Sequence, residues 1–329
     1  MKARVIATGR YLPEKVLSNA DLEEIVDTSD EWIFTRTGMK ERRIASNQEA
    51  SSDMGVLAAK NALEKANMQG AEIDMILVAT LTPDYVFPST ACLIQAAIGA
   101  SCASAMDVQA ACSGYLYTLA LAKAMVENKM AKNVMIVATE KLSSIVDYED
   151  RTTCVLFGDG ACACIVSGEG KGLEIENISL GADGEQSDLI IMPAGGSKNP
   201  ASIETVKTKQ HSIKMTGKEV FKHAVRRMES ASKNCLDQSG LKEQDIQWLI
   251  AHQANARIID AMAKRFSHLS SNQVFKTVHK YGNTSASSVG IALDELLDQE
   301  TIKKGERILL TAFGSGLTWG SAVLKAVDN

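Results

Sequence analysis

Apolar residues along this 329-residue chain fall into two alternating kinds of segment. Short aliphatic runs, DMILVATL at 74–81, NVMIVATE at 133–140, WLIAHQ at 248–253 and RILLTAF at 307–313, have the length and composition of buried strands. Helix-period segments lie between them, and the most apolar is Ser113–Glu127. Strands apolar on both faces and separated by helices predict an α/β fold with a mostly parallel sheet. The least regular stretch, PAGGSKNPASIETVKTKQ at 193–210, carries Gly, Pro, Ser and scattered Lys and reads as a surface loop, between the halves or off one of them.

Two of these units are copies. ALEKANMQGAEIDMILVAT (62–80) aligns with CLDQSGLKEQDIQWLIAHQ (235–253), placing Leu63 over Leu236 and Leu77 over Ile250 at an offset of 173. KNVMIVATE (132–140) aligns with ERILLTAFG (306–314), with Val134 over Ile308 at an offset of 174. Two independent segments with nearly one offset predict a duplicated unit, with halves at 1–172 and 173–329. Pseudo-symmetric packing would set equivalent strand ends on either side of one cleft.

Composition narrows the function. With 35 Lys+Arg against 40 Asp+Glu the formal charge is −5, which argues against nucleic acid as the main partner. Seven cysteines without a C-x-x-C pair suggest neither a disulfide framework nor a zinc knuckle, and they suit a reducing cytoplasm. Arg4 and Arg10 fall where a signal peptide needs its apolar core, and no apolar stretch is long enough to span a bilayer, so neither secretion nor membrane insertion is expected.

Cys112 stands out because a short strand candidate, AMDVQAA, runs into it and an apolar helix follows. At such an elbow the helix N-terminus would favour a thiolate and lower the cysteine pKa. A buried core cysteine is the alternative at Cys112 and the expectation for Cys92, Cys102, Cys154, Cys162, Cys164 and Cys235. His252 closes a strand whose repeat partner carries Ala79, which points to a task at a strand end where α/β sheets bind ligands; a hydrogen-bonded core histidine would also fit. Asn283 sits in KYGNTSASSVG ahead of a helix, where turn or capping duty also accounts for it. FGSGLTWG at 313–320 lacks the G-x-G-x-x-G spacing of a dinucleotide site; its glycines suit a turn, or backbone N–H groups brought up to a reacting carbonyl.

In combination, AACSGYLY, HQANARI, YGNTSAS and FGSGLTWGS, with DEWIFTRTGMKERRI at 30–44, closely resemble the beta-ketoacyl-acyl carrier protein synthase III family of the thiolase superfamily over nearly the whole chain. The resemblance implies a five-layered αβαβα thiolase-like fold, a homodimer, and a cytoplasmic acyltransferase. It would condense a short acyl-CoA with malonyl-acyl carrier protein at the start of type II fatty acid synthesis, without a cofactor or metal. Carried over, Cys112 is the acylated nucleophile, His252 and Asn283 assist decarboxylation, and the backbone N–H groups of Cys112 and Ser315 form the oxyanion hole. The family usually has Gly or Ala at the position of Ser315. Trp32, Arg36, Thr37, Arg151, Phe221, Ala254, Asn255 and Arg257 match the CoA site. Phe87 matches a residue reaching into the partner subunit's acyl pocket, and Phe313 flanks the site. Lys222, Arg257, Lys264 and Arg265 are candidates for docking an acidic carrier protein; Ile258, Met262 and Phe266 face inward on the same segment at i, i+4, i+8, and a solvated helix face is the plain alternative.

Asn283 in place of a second histidine argues against elongating synthases. An acyltransferase of secondary metabolism would share every catalytic residue and differ in pocket and acceptor. A cysteine hydrolase, with water replacing the carbanion, is the reading from another class.

Overall fold

A computed structural model describes residues 1–327. Its frame is one nine-stranded sheet: β1 (Arg4–Tyr11), β2 (Met75–Ala79), β3 (Ser104–Val108), β4 (Asn133–Glu140), β5 (Gly160–Ser167), β6 (Gly172–Ala182), β7 (Trp248–Ala251), β8 (Arg307–Gly314) and β9 (Thr318–Val327). The order across it is β7-β8-β9-β6-β1-β5-β4-β2-β3. Each half repeats one pattern. In the first, β2 runs parallel to β3 and β4, and β4, β5 and β1 then pair antiparallel. In the second, β7 runs parallel to β8, and β8, β9 and β6 pair antiparallel. The counterpart of β3 is reduced to a single parallel bridge, Leu249 with Val274. The halves meet at a narrow seam where β1 pairs β6 through Arg4↔Glu174 and Val5↔Leu173.

Five layers follow from which face each strand residue buries. Because successive side chains point to opposite faces, Ile76 and Val78 of β2 pack outward on α2 (Ser51–Ala66), against Met54, Ala58 and Ala62. Leu77 and Ala79 pack inward on α3 (Gly114–Glu127). In the second half Leu249 of β7 faces outward to α4 (Gly217–Ser239), and Ile250 faces inward to α5 (Ser287–Gln299). The two inner helices, α3 and α5, thus form one shared middle layer between the two arms of the sheet. All eight residues of β4 are buried, the fate of a strand covered on both faces, and each fully buried aliphatic side chain contributes about 1.5–3 kcal/mol.

One expectation is refined here and one changes. The 193–210 stretch lies mostly at the surface, but it is ordered: Ser202 caps a short helix at Ile203–Lys207, and Ala194, Gly195 and Gly196 form part of a cavity wall. Cys92 and Cys102 are exposed, whereas Cys154, Cys162, Cys164 and Cys235 are buried. Cys92 rides the outer side of a helix at Thr90–Ala97 whose buried side is Thr90, Ala91 and Ile94. No helix among the described residues is long and apolar enough to cross a membrane.

Candidate active site

A cavity of about 1240 Å³ opens between the halves. Cys112, His252, Asn283, Phe313 and Ser315 line it, together with Trp32, Arg36, Thr37, Phe221, Lys222, Ala254, Asn255 and Arg257. It runs from exposed Arg36 and Arg257 inward to His252 and Asn283, which are buried.

Cys112 stands in a one-turn 3-10 segment, Ala111–Ser113, that leads directly into α3. Ala111 before it takes a left-handed φ of 45°, the sharp turn that lifts the cysteine out of line with β3. The end of β8 closes on this elbow. A Cβ added at Gly314 would sit 2.7 Å from the Cys112 backbone nitrogen, so only glycine lets the two backbones approach. The expected lowering of the cysteine pKa is reversed: burial, with the Glu140 charge adding to it, pushes the thiol up to about 12. Desolvation outweighs the helix terminus, and the resting group is a neutral thiol.

His252 follows the last residue of β7, and its backbone N–H donates to Thr311 O at 2.8 Å. Burial holds its pKa down to about 3, so the imidazole is neutral. Its Nδ1 lies 2.7 Å from Ser288 Oγ, which also accepts from Gln253 N at 3.3 Å. Ser288 Oγ keeps its own proton to give to Nδ1, and in that tautomer the imidazole offers its N–H from Nε2. Asn283 is pinned on both sides by its backbone, donating to Leu156 O and accepting from Gly158 N. Its Oδ1 accepts from Ser285 N at 2.9 Å, leaving Nδ2 as the group with protons to offer. The second half therefore supplies two neutral N–H donors where the first supplies a thiol.

At the outer end, Ser29 caps α1 of the mouth, the helix Asp30–Thr37, by accepting from Trp32 N at 3.2 Å. Left-handed Gly38 ends that helix against Ala256; a Cβ there would meet Ala256 Cβ at 2.4 Å. Asn255 caps the helix Ala256–Ala263 through Arg257 N and donates from Nδ2 to Arg36 O at 3.1 Å, tying the two walls together. The guanidiniums of Arg36 and Arg151 lie 4.5 and 5.1 Å from the Trp32 ring centre, and that of Arg257 lies 5.5 Å from Phe221.

Other expected residues lie elsewhere. Arg151 does not line the cavity; it donates to Asp27 O at 2.8 Å beside Trp32. Phe87 is 84% exposed, in a run with exposed Tyr85 and Val86, and stands outside this chain's own cavity. Lys264 and Arg265 sit beyond the end of the Ala256–Ala263 helix, away from the cavity, and Arg265 pairs with Glu243 at 2.9 Å. Lys222 pairs with Glu219 at 2.9 Å. Ile258, Met262 and Phe266 are buried.

The profile described as 3-oxoacyl-(acyl-carrier-protein) synthase III matches residues 106–184, and the one described as its C terminal matches residues 236–326. The chain is 59% identical to the beta-ketoacyl-(acyl-carrier-protein) synthase III of Chlamydia caviae, over 99% of this chain and 98% of that one. The chain belongs to the beta-ketoacyl-acyl carrier protein synthase III family. A solved synthase III from Aquifex aeolicus superposes with a TM-score of 0.90 at 46% identity, covering 98% of this chain and 99% of that one. The priming beta-ketosynthase of the R1128 polyketide biosynthetic pathway superposes with a TM-score of 0.90 at 34% identity, covering 99% and 96%. The fold is thus the thiolase-like one of synthase III, and the chain is a condensing acyltransferase; nothing in these likenesses supports a hydrolase.

Four residues in or next to this cavity escaped the sequence reading. Ser288, which orients His252, and Ser285, which lines the cavity, are hidden in the small-residue run SASS. Glu140, buried at the end of β4, is ringed by Thr80, Leu81 and Thr82. Leu142 lines the inner cavity with Phe157 and Ile213, which pack around it. A polar residue ending an otherwise apolar strand was the available signal for Glu140.

Proposed function

We propose that the chain joins a short acyl-CoA, acetyl-CoA above all, to malonyl-acyl carrier protein and so opens type II fatty acid synthesis. One observation carries the reading: a thiol from the first half and two neutral N–H donors from the second share one cavity. In the first half-reaction Cys112 Sγ attacks the acyl-CoA carbonyl. Charge gathers on the carbonyl oxygen, a task we assign to the backbone N–H groups of Cys112 and Ser315. Collapse expels the CoA thiolate, which leaves as the protonated thiol, and the acyl group stays on sulfur.

In the second half-reaction the malonyl thioester oxygen accepts from His252 Nε2 and Asn283 Nδ2. The bond to the carboxylate breaks, carbon dioxide leaves, and its electron pair becomes the enolate. That carbon attacks the acyl-Cys112 carbonyl, a carbon–carbon bond forms, and the cysteine leaves as thiolate to be reprotonated. The two donors strengthen as the enolate charge develops, so they favour the transition state over the bound ester. No cofactor enters this scheme.

We assign CoA to Trp32, Arg36, Thr37, Arg151, Phe221, Ala254, Asn255 and Arg257, where arginines suit phosphate and aromatic faces suit adenine. Exposed Phe87 belongs, in this reading, to the acyl pocket of a second copy, where a phenylalanine floor favours short, straight primers. Lys222 and Arg257 are the better carrier-protein contacts, since they line the cavity and Lys264 and Arg265 do not. The working compartment is the cytoplasm.

The test is intact and peptide mass spectrometry of the protein after incubation with a panel of acyl-CoAs, followed by malonyl-carrier protein. Acylation confined to Cys112, strongest with acetyl-CoA, absent in Cys112→Ala and discharged as a ketoacyl product is expected; no acylation ends the reading. The likeness to a polyketide priming enzyme favours a second one. Preference for a long or branched primer, or an acyl-enzyme that ignores malonyl-carrier protein, would select it.

A further inference from the structure

The oxyanion donor assigned to Ser315 N stands at the tip of the hairpin between β8 and β9, where Gly314 pairs with Thr318. Contacts on two sides decide where that tip lies. On the nucleophile's side, Thr318 Oγ1 shares its one proton between Ala110 O at 2.9 Å and Ser315 O at 3.0 Å. A single hydroxyl thus holds the tip to the residue just before the segment that carries Cys112. On the other side Leu317 and Asp183 exchange backbone hydrogen bonds, at 2.7 and 2.8 Å. The Ser315 side chain adds a bond of its own: its Oγ donates to Ile190 O at 2.6 Å.

Ile190 belongs to a part of the cavity wall outside the main frame. Ile190–Ile191 pairs antiparallel with Lys214–Met215 in a ribbon of two short strands, separate from the nine-stranded sheet. Ile190 lines the cavity and packs against Leu142, Phe157 and Ile213, which line it too. Phe157 is bridged to Asn283, so this apolar group lies beside a second-half donor and suits an acyl chain. The Ser315–Ile190 bond therefore joins the group that receives the carbonyl charge to a wall that a longer acyl chain would press on.

We propose that Ser315 Oγ makes this wall and the oxyanion donor move together, so that primer length is read in the rate of acylation. With a two-carbon acyl group the wall keeps its place and Ser315 N lies within about 3 Å of the carbonyl oxygen, where a donor is worth most as charge gathers. A longer chain presses Ile190 outward, the tether draws the tip with it against the hold of Thr318, and the N–H loses its aim. The longer acyl-CoA still binds through its CoA part at the mouth, but its transition state is poorly stabilised. The Ser315 side chain is thus a positioning group, acting through its own backbone N–H. The inference rests on the acyl transfer proposed above and adds a cause of specificity to it.

The test compares single-turnover acylation of Cys112 by acetyl-CoA and butyryl-CoA over a range of concentrations, read by rapid quench and intact mass. In the unaltered protein butyryl-CoA at saturation acylates about tenfold more slowly; a Phe87 floor acting on binding would instead raise the half-saturating concentration. Ser315→Ala slows acylation by acetyl-CoA about 3- to 10-fold, as loss of one neutral hydrogen bond predicts, leaves butyryl-CoA no slower, and keeps both half-saturating concentrations. Ser315→Thr, which keeps the hydroxyl, restores the acetyl rate. Failure of the unaltered protein to acylate with either primer overturns the acyl transfer itself. Butyryl-CoA acylating as fast as acetyl-CoA at saturation, or Ser315→Ala slowing both primers alike, overturns the tether alone; the unaltered protein's saturating rates decide even if a variant fails to fold.

Discussion

The two halves share one topology and divide the chemistry. At three positions separated by 173 or 174 residues the copies differ in kind: β2 ends at Ala79 where the second half has His252; the left-handed residue before the central helix is Ala111 in one and Ser285 in the other; β4 ends at Glu140 where β8 ends at Gly314. Each exchange falls at a strand end or helix elbow facing the shared cavity or the elbow beside it. Duplication fixed the frame, and in the proposed reaction the divergent ends make one side nucleophilic and the other hydrogen-bond donating. A site assembled this way needs both halves, because neither carries a thiol and the two N–H donors together.

The sharpest way to break the comparison is to remove a second-half donor while keeping the first-half nucleophile. His252→Ala or Asn283→Ala should lower condensation about 10²–10³-fold while the acyl-Cys112 intermediate still accumulates, seen by intact mass. Equal losses in both half-reactions would show that the division of labour is wrong. Restoring a first-half-like side chain at the β8 end is the next test. Gly314→Ala puts a methyl group 2.7 Å from Cys112 N, and should slow acylation and destabilise the fold by about 1–3 kcal/mol, measured by urea unfolding.

The halves should also part company in their pH dependence. His252 is held below its ordinary 6.5, so the unfolded chain binds the extra proton: its contribution to stability is present above 6.5 and is lost as pH falls toward 3. Glu140 is raised from 4.5 to about 7, so the folded state binds the extra proton: its contribution is full below 4.5 and is lost as pH rises through 7. Denaturant midpoints should show His252→Gln flattening the acid limb and Glu140→Gln the limb between 4.5 and 7; a swap of those limbs would refute the assignment. The smallest effect is expected at the mouth, where Arg36→Glu should raise the KM for acyl-CoA roughly two- to fivefold, less at high salt, and leave kcat unchanged.

Period and repeat made much of this legible in the chain. The buried strands could be read because residues covered on both faces are apolar throughout, and His252 could be read because its duplicate kept alanine. What stayed hidden depends on which side chains the third dimension encloses. Arg42, one of two adjacent arginines in ERRI, looks like surface charge, yet it is fully buried and donates to Leu17 O, Asn19 Oδ1 and Val155 O. Position at a helix start suggested a lowered Cys112 pKa, but the sign was set by desolvation, which no linear pattern reports. Ser288 differs from its neighbours in nothing but the partner that folding gives it, the imidazole of His252.

The passage from Arg36 and Arg257 down to Cys112 is also a matter of traffic. In the proposed reaction both thioesters carry their acyl group on a long flexible arm and use the same opening: one leaves its acyl group on Cys112, and the other brings the carbon that takes it off. The departing carrier has to clear the channel before the next can enter, so turnover would alternate strictly between a loaded and an emptied enzyme. A surplus of free CoA would then act as a stopper, competing with the incoming malonyl arm for the same corridor.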